Sequence, residues 1–203
     1  MGQIRIIGGQ WKRTPISVDD AKGLRPTADR VRETLFNWLG QDLSGWRCLD
    51  VFAGTGALGF EAGSRGAREV VFIEQDLRTA QRIQSLIEKL GAFDRLSLVR
   101  ADALAWLKEK TRSPISDPFD LIFCDPPFGL GLIEKAVPLL VPLLAEDGYL
   151  YAESERPLTP DWAQSQGLTI IRKDKAGMVH YHLLRRVQGK EEPDADSSLS
   201  GNI

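Results

Sequence analysis

Residues 49–62 read LDVFAGTGALGFEA. An apolar run, Cys48 to Phe52, passes directly into Gly54-Thr55-Gly56-Ala57-Leu58-Gly59, and a helical stretch follows over about 57–65. Glycines at such a junction let a ligand approach the backbone at a helix N-terminus. Taken alone, the Gly-x-Gly-x-x-Gly spacing fits nucleotide binding and a mere tight turn equally well. No Gly-Lys-Ser/Thr follows, which excludes a phosphate-cradling NTPase loop.

Outward from this junction the chain alternates between two periods. EVVFIE, LSLVRAD, FDLIFCD and GYLYAES are further short apolar runs, and helical stretches are predicted over 77–90 and 103–110. Near-continuous apolar strands alternating with helices specify a parallel sheet covered on both faces. Residues 131–144 also read as helix, shortened or kinked by Pro138 and Pro142. LTIIRKD and MVHYHLLRR, joined by Lys175-Ala176-Gly177, predict a closing hairpin. Upstream, QIRII and QWKRTPISV flank Gly8-Gly9, which reads as a tight hairpin turn. A helix follows, with Thr27 as N-cap, Val31, Leu35, Phe36 and Leu39 on its buried stripe, and Gly40 as its stop. The expected organisation is a basic hairpin extension over 1–24, one domain over 25–186, and a disordered acidic tail over 187–203.

The 203 residues carry 26 Lys+Arg against 28 Asp+Glu, with 42% hydrophobic and 27% charged side chains. That balance supports a real core and excludes a wholly disordered chain. Cys48 and Cys124 are too few for a disulfide framework or a four-ligand zinc site, and both read as small core hydrophobes. No run approaches the roughly 18 apolar residues of a membrane span, and the N-terminus lacks the apolar stretch of a signal peptide. A cytoplasmic, monomeric protein without metal is expected. His180 and His182 share a strand face but have no third ligand in the pattern.

The acids after the strands carry the chemistry. Asp50 precedes the glycine loop, where it repels a pyrophosphate and attracts an ammonium group. Glu74 ends the second strand of the series, about 20 residues beyond the loop, where a carboxylate accepts both ribose hydroxyls. Asp102 ends the third, suited to an adenine amino group with the Ala103 N–H on a ring nitrogen; the alternative for an Asp there is a helix N-cap. An ammonium, a ribose and an adenine without phosphates describe S-adenosylmethionine better than NAD. Asp125-Pro126-Pro127-Phe128 then follows a buried strand. The prolines remove two N–H donors, so the Asp125 carboxylate and Pro126 carbonyl form a pair of acceptors for a planar NH₂ group. Phe128 is placed to stack on the ring that bears it. Cys124, one residue earlier, points to the other side of the strand.

DVFAGTGALG, Glu74, Asp102-Ala103 and DPPF resemble the motifs of class I S-adenosylmethionine-dependent amino-methyltransferases. With RIIGGQWKR and GLRPTADRVRETLFNWL upstream, residues 2–186 resemble the RsmD family of 16S rRNA guanine-N2 methyltransferases. The resemblance implies a Rossmann-like α/β fold, with a seven-stranded, mostly parallel sheet, helices on both faces, and an N-terminal β-hairpin and helix. It implies methyl transfer to one guanine of 16S rRNA, within a 30S assembly intermediate or on free RNA. The expected catalytic group is Asp125, Pro126, Pro127 and Phe128. The expected cofactor site is Asp50, Phe52, Ala53, Gly54, Gly56, Glu74, Gln75, Asp102, Ala103 and Asp125. Arg5, Trp11, Lys12, Arg13, Arg25, Arg30 and Arg32 are the expected RNA contacts; Arg30 and Arg32 fit an ordinary solvated helix face as well.

Other readings explain less. DNA adenine-N6 methylation suits the DPPF turn, but nothing in the chain reads as a duplex-recognition domain. Protein-glutamine methylation would favour Asn at position 125. An NAD-dependent dehydrogenase leaves DPPF without a role, and a non-catalytic RNA-binding module does not require the strand-end acids. Charge is also unevenly placed. Residues 1–32 hold seven Lys/Arg against three acids and residues 168–186 five against one, while the tail from 187 holds one against four. The near-neutral total averages two basic ends, an acidic centre and an acidic tail.

Overall fold

A computed structural model describes residues 2–18 and 29–187; Arg25, the Thr27 cap and the tail from 188 onward lie outside them. Strands β1 (Gly2–Arg5) and β2 (Pro15–Val18) pair antiparallel, and α1 (Asp29–Leu39) follows. The main body is β3 (Arg47–Asp50), α2 (Ala57–Ser64), β4 (Glu69–Glu74), α3 (Leu77–Leu90), β5 (Leu96–Arg100) and α4 (Ala103–Lys110). It continues with β6 (Phe119–Cys124), α5 (Leu132–Leu140), a 3₁₀ turn (Val141–Leu143), β7 (Leu144–Ser154), α6 (Pro160–Ser165), β8 (Leu168–Ala176) and β9 (Val179–Arg186). The seven-stranded sheet has the order β5-β4-β3-β6-β7-β9-β8, with only β9 running antiparallel to its neighbours.

Both faces of the sheet are buried, as the unbroken apolar strands require. In β4, Val70 and Phe72 enter one core layer, and Val71 and Ile73 the other. The first layer takes Leu35 and Phe36 of α1, Phe60 of α2 and Ile83 and Ile87 of α3. The second takes Leu107 of α4, Val137 and Leu140 of α5 and Ala163 of α6. Cys48 lies in the first and Cys124 in the second, both fully buried. Burial of each such side chain is worth about 1.5–3 kcal/mol. The stripe of α1 is as expected, and Gly40 ends it in a left-handed conformation (φ 89°). Pro138 sits in the last turn of α5, where it has no N–H to donate to the Glu134 carbonyl, and Pro142 lies in the 3₁₀ turn that follows.

The N-terminal hairpin forms, but Gly8-Gly9 is not its two-residue turn. Residues 6–14 connect the strands, and the two glycines are a docking surface. A Cβ on Gly9, whose φ is 71°, would lie 1.9 Å from the Ser64 carbonyl oxygen at the end of α2. Close approach is needed because Gln10 N–H donates to that carbonyl (2.8 Å) and Trp11 N–H to Ser64 Oγ (2.9 Å). Ser64 Oγ donates in turn to the Gly8 carbonyl (2.5 Å). Trp11 lies over Gly63, whose Cβ would fall 2.9 Å from the indole ring, with the Arg95 guanidinium 5.2 Å from the ring centroid. A further short helix, α6, went unread in the sequence although Thr159-Pro160 marks its start: Thr159 Oγ1 accepts from Trp162 N–H (3.2 Å).

Below the hairpin lies a buried ionic cluster. Glu61 of α2 is fully enclosed, pairs with Arg65 one turn on, accepts the Ile7 N–H, and stands 3.7 Å from Arg32 of α1. Arg32 also donates to the Arg5 carbonyl (3.0 Å) and Asp29 Oδ1 (2.5 Å), and Arg65 lies over the Phe36 ring (4.3 Å). Arg32 is therefore corrected from an RNA contact to a structural residue: its side chain has no exposed surface. Desolvation lowers its pKa, and Arg65 is lowered to about 10 by desolvation and by Arg32. Glu61→Ala leaves two buried guanidinium groups without their carboxylate and should destabilise the fold by about 3–5 kcal/mol. Urea unfolding checks this; a loss below about 1 kcal/mol would mean that solvent screens the cluster.

Candidate functional site

The sheet order makes a crevice. From β3 the chain moves outward through β4 and β5, then returns to β6 on the other side, so β3 and β6 bracket the switch point where α/β sheets bind ligands. The two strand exits are tied: Val51 N–H donates to the Phe123 carbonyl (3.1 Å), and Ala53 N–H to Ile73 (3.0 Å). The glycine loop and the DPPF turn are thus neighbours across the crevice.

In the loop, Gly54 and Gly56 are left-handed (φ 51° and 75°). Space beside Gly54 is open, with only the Phe52 carbonyl within 4 Å of a Cβ there. Gly59 serves packing, since its Cβ would fall 2.2 Å from the Phe72 ring. Gly56 offers no side-chain cap to α2, and Asp50 replaces it: Asp50 Oδ2 accepts from Gly59 N–H (3.0 Å). Asp50 is 2% exposed, so it shapes the loop from behind, a correction to the picture of a carboxylate open to an ammonium group. Burial, reinforced by Glu74 and opposed by the Gly59 hydrogen bond, raises its pKa to about 7.

Glu74, half-buried, orders the loop from the other side. Its Oε2 accepts from Gly54 N–H (2.8 Å) and its Oε1 from Asp76 N–H (2.7 Å). Each oxygen keeps a lone pair for a hydroxyl donor. Gln75 beside it is exposed, Phe52 is half-buried and Ala53 is buried. Asp102 is exposed and caps α4, Oδ1 accepting from Ala105 N–H (2.8 Å). Of its two readings, the cap is the one seen, with Ala103 buried next to it.

Asp125 is half-buried at the end of β6, Pro126 is buried, Pro127 is exposed and Phe128 is 40% exposed. Leu121 and Phe123 enter the first core layer and Ile122 and Cys124 the second, so Asp125 is on the side opposite Cys124. Sequence reasoning missed Glu153. In the parallel register Cys124 faces Ala152, so Glu153 is the counterpart of Asp125 on β7. It is 5% exposed and accepts from the Tyr151 hydroxyl (2.7 Å). Burial and the carboxylates of Glu153 and Asp125 hold that phenol far above its usual pKa. The signal was present: the strand-end acid rule that selects Asp50, Glu74, Asp102 and Asp125 also selects Glu153.

The site therefore presents acceptors, the carboxylates and the Pro126 carbonyl, while the Gly54, Gly56 and Gly59 N–H groups of the loop are used within the protein. It fits a cationic, hydroxyl-bearing ligand and opposes a pyrophosphate. Among the expected RNA contacts, Arg5, Lys12, Arg13 and Arg30 are exposed. Trp11, also an expected RNA contact, is half-buried and packs over Gly63 of α2. His182 Nε2 accepts from Leu158 N–H (3.1 Å), and burial lowers its pKa to about 4. Among the described residues no cluster of three His, Cys, Asp or Glu is placed to hold a metal, and no helix is long and apolar enough to cross a membrane.

The profile of the family described as "Conserved hypothetical protein 95" matches residues 4–185. The chain is 42% identical to "Ribosomal RNA small subunit methyltransferase D" of Escherichia coli K12, over 96% of each chain. A solved E. coli structure, yhhF, is 40% identical and superposes with a TM-score of 0.77, over 93% of this chain and all of that one. At 18% identity the fold also matches SMU.776, solved in complex with SAH, with a TM-score of 0.65, over 80% of this chain and 50% of that one.

The buried Asp50 makes a pH prediction. An Asp in the unfolded chain titrates near 3.9 and in the folded protein near 7. Between these values the folded state binds more protons, so this group's contribution to stability falls as pH rises from about 4 to about 7. Asp50→Asn should abolish that decline. Urea unfolding at pH 5 and pH 8 should show wild type losing a few kcal/mol relative to the variant; parallel pH profiles would place the wild-type titration at its ordinary position.

Proposed function

Since the chain belongs to the conserved hypothetical protein 95 family, the RsmD family that its motifs resemble, we propose that it methylates the N2 amino group of one guanine in 16S rRNA, from S-adenosylmethionine, during small-subunit assembly in the cytoplasm. The observation that carries this reading is the DPPF turn standing across the switch point from the carboxylate-lined glycine loop. An acceptor-only turn beside a phosphate-free cofactor site suits a donor NH₂ and a cationic co-substrate. The name of the 42% identical relative supports the RNA substrate, and the SAH in a structure of the same fold supports the cofactor.

The residues divide the work. Gly54, beside open space, would admit the methionyl part of the cofactor, Gly56 would give the loop its turn, and Glu74 would take the ribose hydroxyls. Asp102, Ala103 and Gln75 would border the adenine, while Asp50 holds the loop from beneath, flanked by Phe52 and Ala53. When bound, S-adenosylmethionine would supply a methyl group on a positively charged sulfur, which departs as a neutral thioether. An aromatic amine is a poor nucleophile because its lone pair is delocalised into the ring. Hydrogen bonds from its two N–H groups to the Asp125 carboxylate and Pro126 carbonyl draw the nitrogen toward a pyramidal shape and free that lone pair. Asp125 then takes the proton that the methylated nitrogen loses, and Phe128 stacks on the base. Alignment and charge placement supply the acceleration without a covalent enzyme intermediate. Arg5, Lys12, Arg13 and Arg30 would hold flanking phosphates, with the base presented from a loop or flipped from a helix.

Asp125→Ala should reduce methyl transfer to undermethylated small-subunit RNA by roughly 10²–10⁴-fold, with the dissociation constant for S-adenosylmethionine close to wild type. Retained turnover would remove Asp125 from the reaction. Glu74→Ala should show the opposite division, weakening cofactor binding by roughly 10-fold or more through loss of charge-assisted hydrogen bonds. Equilibrium dialysis with labelled cofactor separates the two. Mapping the labelled nucleotide identifies the base and the atom.

A further inference from the structure

The hairpin that closes the sheet reaches the edge that bears the site. β9 runs antiparallel to β7, and β8 pairs antiparallel with β9, so their connection, Gly177-Met178, lies at the carboxyl edge of the parallel strands. The register fixes how far it is from the chemistry. Cys124, Ala152, His182 and Lys173 form one row across β6, β7, β9 and β8. Ser154, His180 and Lys175 belong to the row two residues further on, and Asp125 and Glu153 lie in the row between. At about 4.8 Å per strand, Lys173 and Lys175 stand about 14 Å to the side of Asp125. Lys12 and Arg13, by contrast, sit on a hairpin tip that docks at Ser64, the far end of α2 from the glycine loop.

Charge on β8 is confined to the half nearest the site. Leu168 to Ile171 carry none, whereas Arg172, Lys173, Asp174 and Lys175 are all charged and exposed. Alternation divides the faces: Lys173 and Lys175 share one with His182 and His180, and Asp174 shares the other with Tyr181. Asp174 is occupied there. It accepts from the Lys175 N–H (2.7 Å) and the Tyr181 hydroxyl (3.0 Å), which hold its carboxyl below the usual range, and the charge of Arg30 on α1 adds to the effect. The neighbouring β7–α6 connection contributes one charge of each sign, exposed Glu155 and Arg156. Met178, in the connection itself, is 74% exposed. Lysines on an edge strand such as β8 also deter pairing with other chains, but a purely protective role would spread charge along the strand, and Leu168 to Ile171 has none.

We propose that the tip of the β8–β9 hairpin is an RNA-binding surface, with Lys173 and Lys175 pairing with backbone phosphates of nucleotides flanking the target base and Met178 packing against a sugar or base of the same strand. The inference rests on the RNA-methyltransferase reading above. A separation of about 14 Å exceeds the screening length of about 8 Å at physiological ionic strength. The lysines therefore attract phosphates without neutralising the carboxylates that the proposed reaction uses. An ammonium on a flexible stem meets a phosphate as a point charge, so this surface positions the strand and leaves the reading of the base to the rim.

The test uses the full-length protein with naked undermethylated small-subunit RNA, over a range of salt concentrations. Lys173→Gln with Lys175→Gln should weaken RNA binding about 10-fold at low salt and reduce the slope of log K against log salt by about 1.4, or about 0.7 per single-strand phosphate. KM for RNA should rise in parallel, while kcat at saturating RNA and the dissociation constant for S-adenosylmethionine stay at wild-type values. Met178→Glu, which places an anion at the exposed connection, should weaken RNA binding in the same direction. Lys108→Gln with Lys110→Gln, at the end of α4 remote from the rim, removes the same charge and should leave RNA affinity at the wild-type value. If wild type methylates RNA while the Lys173 and Lys175 variant matches its affinity and salt slope, the tip is not an RNA surface and the methyltransferase reading stands; self-association of that variant would then assign the lysines to edge protection. An equal loss in the Lys108 and Lys110 variant would reduce the effect to net charge and overturn the proposal. A loss confined to protein-bearing particles would assign the tip to a protein partner and overturn it as well. If wild type neither binds nor methylates RNA, both readings fall together.

Discussion

Glu61 is the point on which the N-terminal third of the molecule turns. Its buried carboxylate gathers Arg65 from its own helix, Arg32 from α1 and the Ile7 N–H from the hairpin. Removing three charges from water costs several kcal/mol per ion before any attraction is counted. An apolar cluster of the same volume would be at least as stable. The charges confer direction instead: a carboxylate with two guanidinium partners and one amide is satisfied in one arrangement, whereas a greasy contact tolerates sliding. Glu61 lies in the helix that begins at the glycine loop, so fixing the hairpin to it also fixes the hairpin relative to the loop. The Gly8-Gly9 contact with Ser64 supplies the second attachment, one turn further along.

The order of elements was legible because burial on both faces leaves a strong mark on composition. EVVFIE and FDLIFC admit little other than central parallel strands, and three helices, α2, α3 and α4, begin and end within one residue of the sequence reading. What escaped was long-range. Gly8-Gly9 has the local signature of a hairpin turn, and only the partner surface 55 residues away shows that the glycines serve close approach. Arg32 has the local signature of an exposed helix cation, and only Glu61 converts it to a buried one. Trp11 sits in a basic segment and looks free until Gly63 and Arg95 are placed around it. In each case the deciding neighbour is remote in sequence, and short-range chemistry carries no trace of it.

The site was more legible than the hairpin, because a parallel sheet brings all its strand ends to one edge. Asp50, Glu74, Asp102 and Asp125 need no coordinates to be assigned to a common rim, and Glu153 joins them through the β6–β7 register. Their division of labour does need them. Asp50 and Asp102 spend an oxygen each on capping helices, and Glu74 holds the Gly54 and Asp76 amides. These carboxylates are the reason the loop has a shape as well as a charge. The same hydrogen bonds that satisfy the rim in the protein orient the oxygens that remain for a ligand.

An acidic rim is a poor place to bring a polyanion, and this tension explains where the positive charge sits. Phosphates cannot approach Glu74, Asp125 and Glu153 without repulsion, while a neutral base with an amino donor is attracted to the acceptors there. Cations placed inside the rim would relieve the repulsion, but they would also pair with the carboxylates that the proposed reaction needs as acceptors. Among the described residues, carboxylates line the ends of the strands, and exposed Lys12 and Arg13 lie at the hairpin tip, which docks at the far end of α2. In the proposed function, an RNA strand held by its backbone at the hairpin would reach the rim only by turning a base inward, and the placement of charge would then select the part of the nucleotide that meets the methyl donor.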